Sequence, residues 1–182
     1  MKKEFENIVS VWEKLENRWP VAGCSEHINF CTMKDKLEDI LIEREVIPQA
    51  FGHFGFVVNN IKSSITALRT FNNCKNTDEI KIDWVEVFSL YVARTFFEGM
   101  ELEFILPKGK NFFHTFLEKE GEHLHHLAFQ VNNIDQSLEK LKSNGIKLIN
   151  KKPESGAHGK VAFLIPSSIF CRIYIELYQV YE

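Results

Sequence analysis

The sequence of 182 residues has no long apolar run and no excess of basic residues. No window approaches the roughly 18 apolar residues that a membrane helix needs, and Met1-Lys2-Lys3 leads into Glu4 rather than into an apolar signal segment. A cytoplasmic protein without a membrane partner is therefore expected. Lys and Arg number 22 against 25 Asp and Glu, which gives a formal charge of -3. This balance does not favour binding to phosphate backbones, so a nucleic-acid partner is not expected.

Paired cysteines are also absent. The four cysteines are scattered, with no Cys-x-x-Cys pair, at positions 24, 31, 74 and 171. This pattern excludes a zinc knuckle and a dense disulfide framework, and it predicts reduced thiols. The 16 Phe residues supply much of the apolar area instead, so one globular core is expected to fold without covalent cross-links.

The sequence contains an internal repeat with an offset of 73 residues. Eight of the sixteen residues at 53–68 are identical to their partners at 126–141, where ordinary residue usage would give about one identity by chance. The identities include the opening His, an Asn-Asn-Ile triplet and the final Leu. Such a duplication predicts two copies of one structural unit.

Each copy predicts a strand, then a helix, then three strands. The apolar runs at 53–58 and 126–131 are rich in aromatic and β-branched residues, which favours strands. Apolar residues at helical spacing follow each run, and the second helix is expected to end at Asn144-Gly145. The later strands are predicted at 84–93 and 100–106 in the first copy, with a poorly defined one near residue 80, and at 146–149, 161–165 and 172–178 in the second.

The predicted fold class is therefore α+β. Two tandem βαβββ modules, at about 51–107 and 124–180, are expected to form one curved mixed sheet within a domain of residues 51–182. Residues 1–50 match neither module, and their apolar spacing predicts a helical N-terminal extension of two helices. We expect this extension to cover an edge or the back of the sheet.

A histidine and a glutamate recur at the same separation in both modules. Glu103 follows His53 by 50 residues, and Glu176 follows His126 by 50 residues. Modules related by a pseudo-twofold axis would bring these four side chains together. Two imidazoles and two carboxylates suit one divalent ion such as Zn, Co, Ni or Mn, and an unpaired carboxylate in the apolar strand around Glu176 would be costly to bury. The spacing predicts a metal site formed by His53, Glu103, His126 and Glu176.

His125 precedes the predicted ligand His126 directly. The repeat pairs His126 with His53, so we assign the ligand role to His126. Because successive side chains of a strand point to opposite faces, His125 is expected to lie on the other side of the sheet.

Five segments resemble the vicinal oxygen chelate superfamily of glyoxalases, bleomycin resistance proteins and dioxygenases, and most closely its methylmalonyl-CoA epimerase branch. They are 53–58, 100–107, 125–131, 156–160 and 173–177. The resemblance covers about residues 50–180. The order of Phe112, Glu118, Gly121, His125-His126 and Gly156-Ala-His-Gly-Lys160 resembles the epimerases more specifically.

The resemblance implies a metal-dependent isomerase that removes a proton α to a thioester carbonyl. It implies an acyl thioester substrate, one divalent metal ion on the same four residues, and a homodimer. Two acid/base groups are expected on opposite faces of the carbon. Glu176 would be one, and Glu86, which stands 17 residues before Glu103 at a place similar to the family's second base, would be the other.

Two other functions are compatible with this resemblance. A lactoylglutathione lyase would use the same metal on a hemithioacetal, and Glu103 is compatible with both enzymes. A non-catalytic small-molecule binding protein of the resistance type generally lacks the ligand set, so the four predicted ligands argue against it. An extradiol dioxygenase is less favoured, because Glu103 would occupy a coordination position that its iron keeps open.

Overall fold

The computed structural model describes residues 30–71, 80–97, 99–157, 159–165 and 173–181. The first predicted helix of the N-terminal extension lies outside these residues. The described helices are α1 (Phe30–Glu43), α2 (Ile61–Phe71), α3 (Phe112–Glu120) and α4 (Ile134–Ser143). The strands are β1 (Ala50–Val57), β2 (Asp83–Val85), β3 (Leu90–Phe97), β4 (Met100–Pro107), β5 (His123–Gln130), β6 (Glu154–Ser155), β7 (Gly159–Leu164) and β8 (Tyr174–Val180). None of the described helices is long and apolar enough to cross a membrane.

The eight strands form one curled mixed sheet in the order β2-β3-β4-β1-β5-β8-β7-β6. β1 and β5 pair antiparallel at its centre, and each has the last strand of its own module, β4 or β8, as a parallel neighbour. The two halves of the order therefore repeat the same βαβββ connection about a pseudo-twofold axis between β1 and β5. The predicted α+β fold of two tandem modules is confirmed.

The repeated Asn-Asn-Ile triplet starts a helix in each module. The side chain of Asn60 accepts a hydrogen bond from the Ser63 N–H at 3.1 Å, and that of Asn133 accepts one from the Gln136 N–H at 2.9 Å. Each Asn thus satisfies an N–H group that the first helical turn leaves unpaired. This shared cap explains why the triplet is identical in both copies.

The sheet has two differently packed faces. Helices α1, α2 and α4 contribute buried residues to a large core on the outer face, including Leu37, Ile65 and Leu138. Because α1 shares this core, the described part of the N-terminal extension packs into the domain. Helix α3 places Phe113 against the inner face, in a second cluster with Ile105 and Phe163.

Two predicted strands differ from the observed ones. The segment at 84–93 is interrupted by a 3-10 turn at Glu86–Phe88 and by Ser89 at φ 49, so it supplies both β2 and β3. The segment at 146–149 makes one isolated bridge, from Leu148 to Leu164, and the short strand β6 follows it. The side chain of Asn150 accepts the Phe163 N–H at 2.9 Å, so a side chain takes the place of a backbone partner there.

Candidate metal centre

The structure brings the four predicted ligands together on the inner face of the sheet. One ligand atom from each of the four residues lies within 4.8 Å of the others, and all four residues are buried: His53, Glu103, His126 and Glu176. The two histidines lie on the central strands β1 and β5, and the glutamates lie on the parallel neighbours β4 and β8. Gly55 is paired in register with both Glu103 and His126, so the first module's glutamate and the second module's histidine flank one β1 residue.

A β-bulge directs each histidine into the site. The pairing of β1 with β5 shifts between Phe51 and Phe54 and again between Gly55 and Phe56. The first shift places an extra residue beside His53 on β1, and the second places one beside His126 on β5. A bulge re-aims the side chains next to it, so the two histidines converge on the pseudo-twofold axis.

The distances between donor atoms fit a divalent cation. The Nε2 atoms of His53 and His126 lie 3.2 Å apart, close to the roughly 3.3 Å between two imidazole nitrogens on one tetrahedral zinc ion. Glu176 Oε2 lies 3.0 Å from His126 Nε2, and Glu103 Oε2 lies 3.4 Å from His53 Nε2. Two nitrogen and two carboxylate donors in one buried site match the preference of borderline divalent ions.

The two glutamates have different neighbours across the sheet. Arg94 is paired in register with Glu103, and its Nε donates to Glu103 Oε1 at 3.0 Å. The residue paired with Glu176 is the buried Phe163. One carboxylate is therefore held by a guanidinium, whereas the other faces an aromatic ring. The sequence analysis did not single out Arg94, although the glycine turn at Gly99 between β3 and β4 would have placed it opposite Glu103.

The charges within the site shift the protonation of two ligands. Burial raises the pKa of Glu103, but His53 and Arg94 outweigh this effect and hold that pKa well below its usual range. Burial lowers the pKa of His53, but the attraction of Glu103 is larger and leaves that pKa raised. Without a metal ion, His53 and Glu103 thus favour an ion pair, and a cation at the site would replace the proton on His53.

The cluster opens into a cavity with mostly apolar walls. Its lining includes Arg94, Glu103, Glu176 and Tyr178, together with the apolar side chains of Val85, Phe88, Leu90, Val92, Ile105, Phe113, Val161 and Phe163. Burial raises the pKa of the Tyr178 phenol, so its hydroxyl stays protonated at neutral pH. A few polar groups at the end of an apolar cavity are typical of a small-molecule site.

The structure does not bring Glu86 to this cavity. Glu86 lies in the exposed 3-10 turn before β3, its carboxylate accepts a hydrogen bond from Trp84 Nε1, and it is not part of the cavity lining. The 17-residue spacing placed Glu86 near Glu103. The turn at Gly99 is short, however, so the strand position opposite Glu103 is nine residues before it, at Arg94.

The structure also corrects the expected orientation of His125. The β5 bulge abolishes the alternation of side chains, and His125 lies on the same face as His126, with the two Nδ1 atoms 3.0 Å apart. Its ring stacks on Tyr174 of β8, with centroids 4.4 Å apart. Burial holds the pKa of His125 well below its usual range. The ligand atom nearest the other three donors nevertheless belongs to His126.

We expect Arg94→Met to destabilise the metal-free protein. The change leaves Oε1 of the buried Glu103 without its guanidinium donors, which should lower the free energy of unfolding by about 1–3 kcal/mol. Urea unfolding after dialysis against a chelator measures this loss. The control is Arg44→Met, which removes an exposed contact with Glu43 and should cost at most about 1 kcal/mol. Equal losses in the two variants would contradict a structural role for the Arg94 pair.

Comparison with known proteins supplies independent information. A family model described as the Glyoxalase/Bleomycin resistance protein/Dioxygenase superfamily matches residues 52–163. The chain is 35% identical over 118 residues to the uncharacterized protein YqjC of Bacillus subtilis (strain 168), covering 63% of this chain and 81% of YqjC. It is also 35% identical over 81 residues to the mitochondrial methylmalonyl-CoA epimerase of Dictyostelium discoideum, covering 41% of this chain and 49% of that protein.

A solved structure shares the fold. The crystal structure of methylmalonyl-CoA epimerase from Mycobacterium tuberculosis matches 77% of this chain and 96% of its own, with a TM-score of 0.62 and 17% identity. At this identity the match shows a common fold and not a common activity. The homodimer, the cytoplasmic location and the identity of the metal stay predictions from the sequence.

Proposed function

The chain belongs to the glyoxalase/bleomycin resistance protein/dioxygenase superfamily, and from this premise we propose that it is a metal-dependent enzyme that removes a proton next to a carbonyl carbon. The observation that carries the proposal is the buried set of two histidines and two glutamates at the end of an apolar cavity. In this proposal His53, Glu103, His126 and Glu176 hold one divalent ion. That ion would act as a Lewis acid on the oxygen of the reacting carbonyl and so make the neighbouring proton more acidic.

Glu176 is the residue that we propose as the proton carrier. Its carboxylate lines the cavity, and its neighbour across the sheet is Phe163 rather than a cation. An apolar neighbour leaves the carboxylate free to accept a proton, whereas a guanidinium stabilises the charged form of Glu103. We therefore assign Glu176 the proton transfer and Glu103 a fixed ligand role.

The substrate that we propose is an acyl thioester, with an isomerase reaction of the methylmalonyl-CoA epimerase type. Two features support this choice: the resemblance of the module motifs to the epimerases, and the 35% identity to the epimerase of Dictyostelium discoideum. The apolar walls formed by residues such as Val92, Ile105 and Val161 suit a short acyl group rather than a charged one.

One observation favours a lactoylglutathione lyase reaction as the second candidate. An epimerase that inverts a carbon needs a proton donor and an acceptor on opposite faces. The exposed Glu86 does not line the cavity, and the side chain opposite Glu103 is Arg94. Glu103 and Glu176 are the carboxylates among the described lining residues, and Arg94 holds the first. Proton removal and return by Glu176 on one face, as a hemithioacetal isomerisation allows, fits this arrangement.

The proposal is tested by proton exchange in deuterated water. Wild-type protein loaded with Zn, Co, Ni or Mn is incubated with methylmalonyl-CoA, and deuterium at the α-carbon is followed by mass spectrometry. Formation of S-lactoylglutathione from methylglyoxal and glutathione is followed in parallel. We expect one of the two reactions to proceed with metal and to stop with a chelator. Bound metal with neither reaction would contradict this enzyme function and favour a small-molecule binding protein.

Glu86→Gln is the matched variant in this assay. Because Glu86 is exposed and bonds to Trp84, we expect its exchange rate and metal content to stay within about twofold of wild type. A loss of more than a hundredfold without loss of metal would instead restore Glu86 as the second acid/base group.

A further inference from the structure

His125 is a buried histidine beside the proposed metal centre that the proposed reaction does not use. Its side chain is 1% exposed, and its Nδ1 lies 3.0 Å from Nδ1 of His126. In the part of the chain that the structure describes, its Nε2 is one of two buried side-chain nitrogens without a hydrogen-bond partner. A buried imidazole with one nitrogen on a predicted ligand and the other unpaired calls for an explanation.

The proton positions follow from the contact between the two rings. A histidine that binds a metal through Nε2 presents a bare nitrogen there, so its proton lies on Nδ1. In His126 the atom that faces His53 and Glu176 is Nε2. Its Nδ1–H then points at Nδ1 of His125, which accepts the bond only when the His125 proton lies on Nε2.

We infer that His125 is a positioning residue that fixes the tautomer and the orientation of His126 by accepting its Nδ1–H. The inference deepens the proposed function and rests on it, because it assigns His126 as a ligand. Metal-bound histidines generally donate their second N–H to an outer partner, and loss of that partner weakens metal binding about 10- to 100-fold. Here a second imidazole takes the place of the usual carboxylate or carbonyl.

The surroundings hold the His125 ring in place. Tyr174 stacks on it with an interplanar angle of 7°, and Phe112, Phe113 and Phe116 of α3 contact it with centroids 5.4, 4.7 and 4.8 Å away. These apolar rings leave the His125 Nε2–H without a competing acceptor. The ring is therefore fixed by packing, while its Nδ1 is directed to His126.

The first module has no counterpart of this imidazole. The repeat pairs His125 with Gly52, which has no side chain and sits against the ring of Tyr178, where an added Cβ would lie 2.6 Å from it. The outer imidazole is thus specific to the second module's histidine. The asymmetry places it on the same ligand pair, His126 and Glu176, that lies 3.0 Å apart.

The inference is tested by zinc affinity, measured by competition with a chromophoric chelator. We expect His125→Phe, which keeps the stacking but removes the acceptor, to weaken zinc binding about 10- to 100-fold. His125→Asn places an amide oxygen near the lost nitrogen and should restore part of the affinity. His123→Phe is the control on the same strand, since the His123 Nε2 is equally unpartnered but its ring is not part of the cluster; its affinity should be unchanged.

A second measurement keeps the test decisive if His125→Phe does not fold. In zinc-bound wild-type protein with 15N-labelled histidine, we expect a scalar coupling between the two Nδ1 atoms of His125 and His126, and a proton on His125 Nε2. No coupling, or a proton on His125 Nδ1, would overturn the inference, as would an unchanged zinc affinity in folded His125→Phe. Wild-type protein that binds no zinc, cobalt, nickel or manganese would instead overturn the proposed function together with this inference.

Discussion

Glu176→Gln is expected to slow α-proton transfer by about 10²- to 10⁴-fold, the range typical for loss of a general base, whereas Glu103→Gln should slow it less than about tenfold. Glutamine keeps an oxygen that can bind the metal but cannot carry the proton. The two residues are equivalent by the repeat, so they provide matched variants. What separates them is the neighbour across the sheet: Phe163 for Glu176, and Arg94 for Glu103.

The measurement is the exchange or lyase rate of each variant at equal metal content, determined by elemental analysis. Equal metal content is needed because both residues are proposed ligands. If Glu103→Gln lost as much activity as Glu176→Gln while retaining metal, the assignment of one proton carrier would be wrong. Two carriers on opposite faces would then support inversion of the carbon, and with it the epimerase reaction over the lyase reaction.

Gly55→Ala is expected to weaken zinc binding at least about a hundredfold. A Cβ at Gly55 would lie 2.0 Å from Cε1 and 2.3 Å from Nε2 of His126, far inside any real contact, so the ring has to move. That ring is fully buried and packs against His125 and Phe163 with centroids 5.3 Å away in each case. Because close-packed interiors leave little room for a shift, Nε2 cannot stay at its place in the cluster.

Zinc affinity by chelator competition and thermal unfolding are measured together for this variant. The control is Gly145→Ala, in the turn after α4, where φ is +77 and an added Cβ meets nothing within 4 Å. It should cost about 1 kcal/mol of stability through the backbone conformation alone and leave zinc affinity unchanged. Gly55→Ala protein that binds zinc as tightly as wild type would show that His126 is not held against this glycine.

The sequence by itself determined the architecture and the composition of the site. A repeat at an offset of 73 residues implies two equal units, and equal units joined in one sheet place equivalent residues about one axis. The identities of His53, Glu103, His126 and Glu176 as neighbours follow from that symmetry without any detail of packing. Periodicity carries such information because strand and helix repeats are local properties of the chain.

Only the tertiary structure decided which side chains surround these four. Spacing along the chain pointed to Glu86, but the register across the turn at Gly99 places Arg94 opposite Glu103. Strand alternation sent His125 to the outer face, but a bulge in β5 turns it inward. Register and bulges depend on pairing between strands, and a shift of one residue reverses the face of a side chain. The symmetry of the repeat thus supplies the equivalent ligands, whereas the unequal partners that give them different chemistry, Arg94, Phe163 and His125, come from cross-strand pairing.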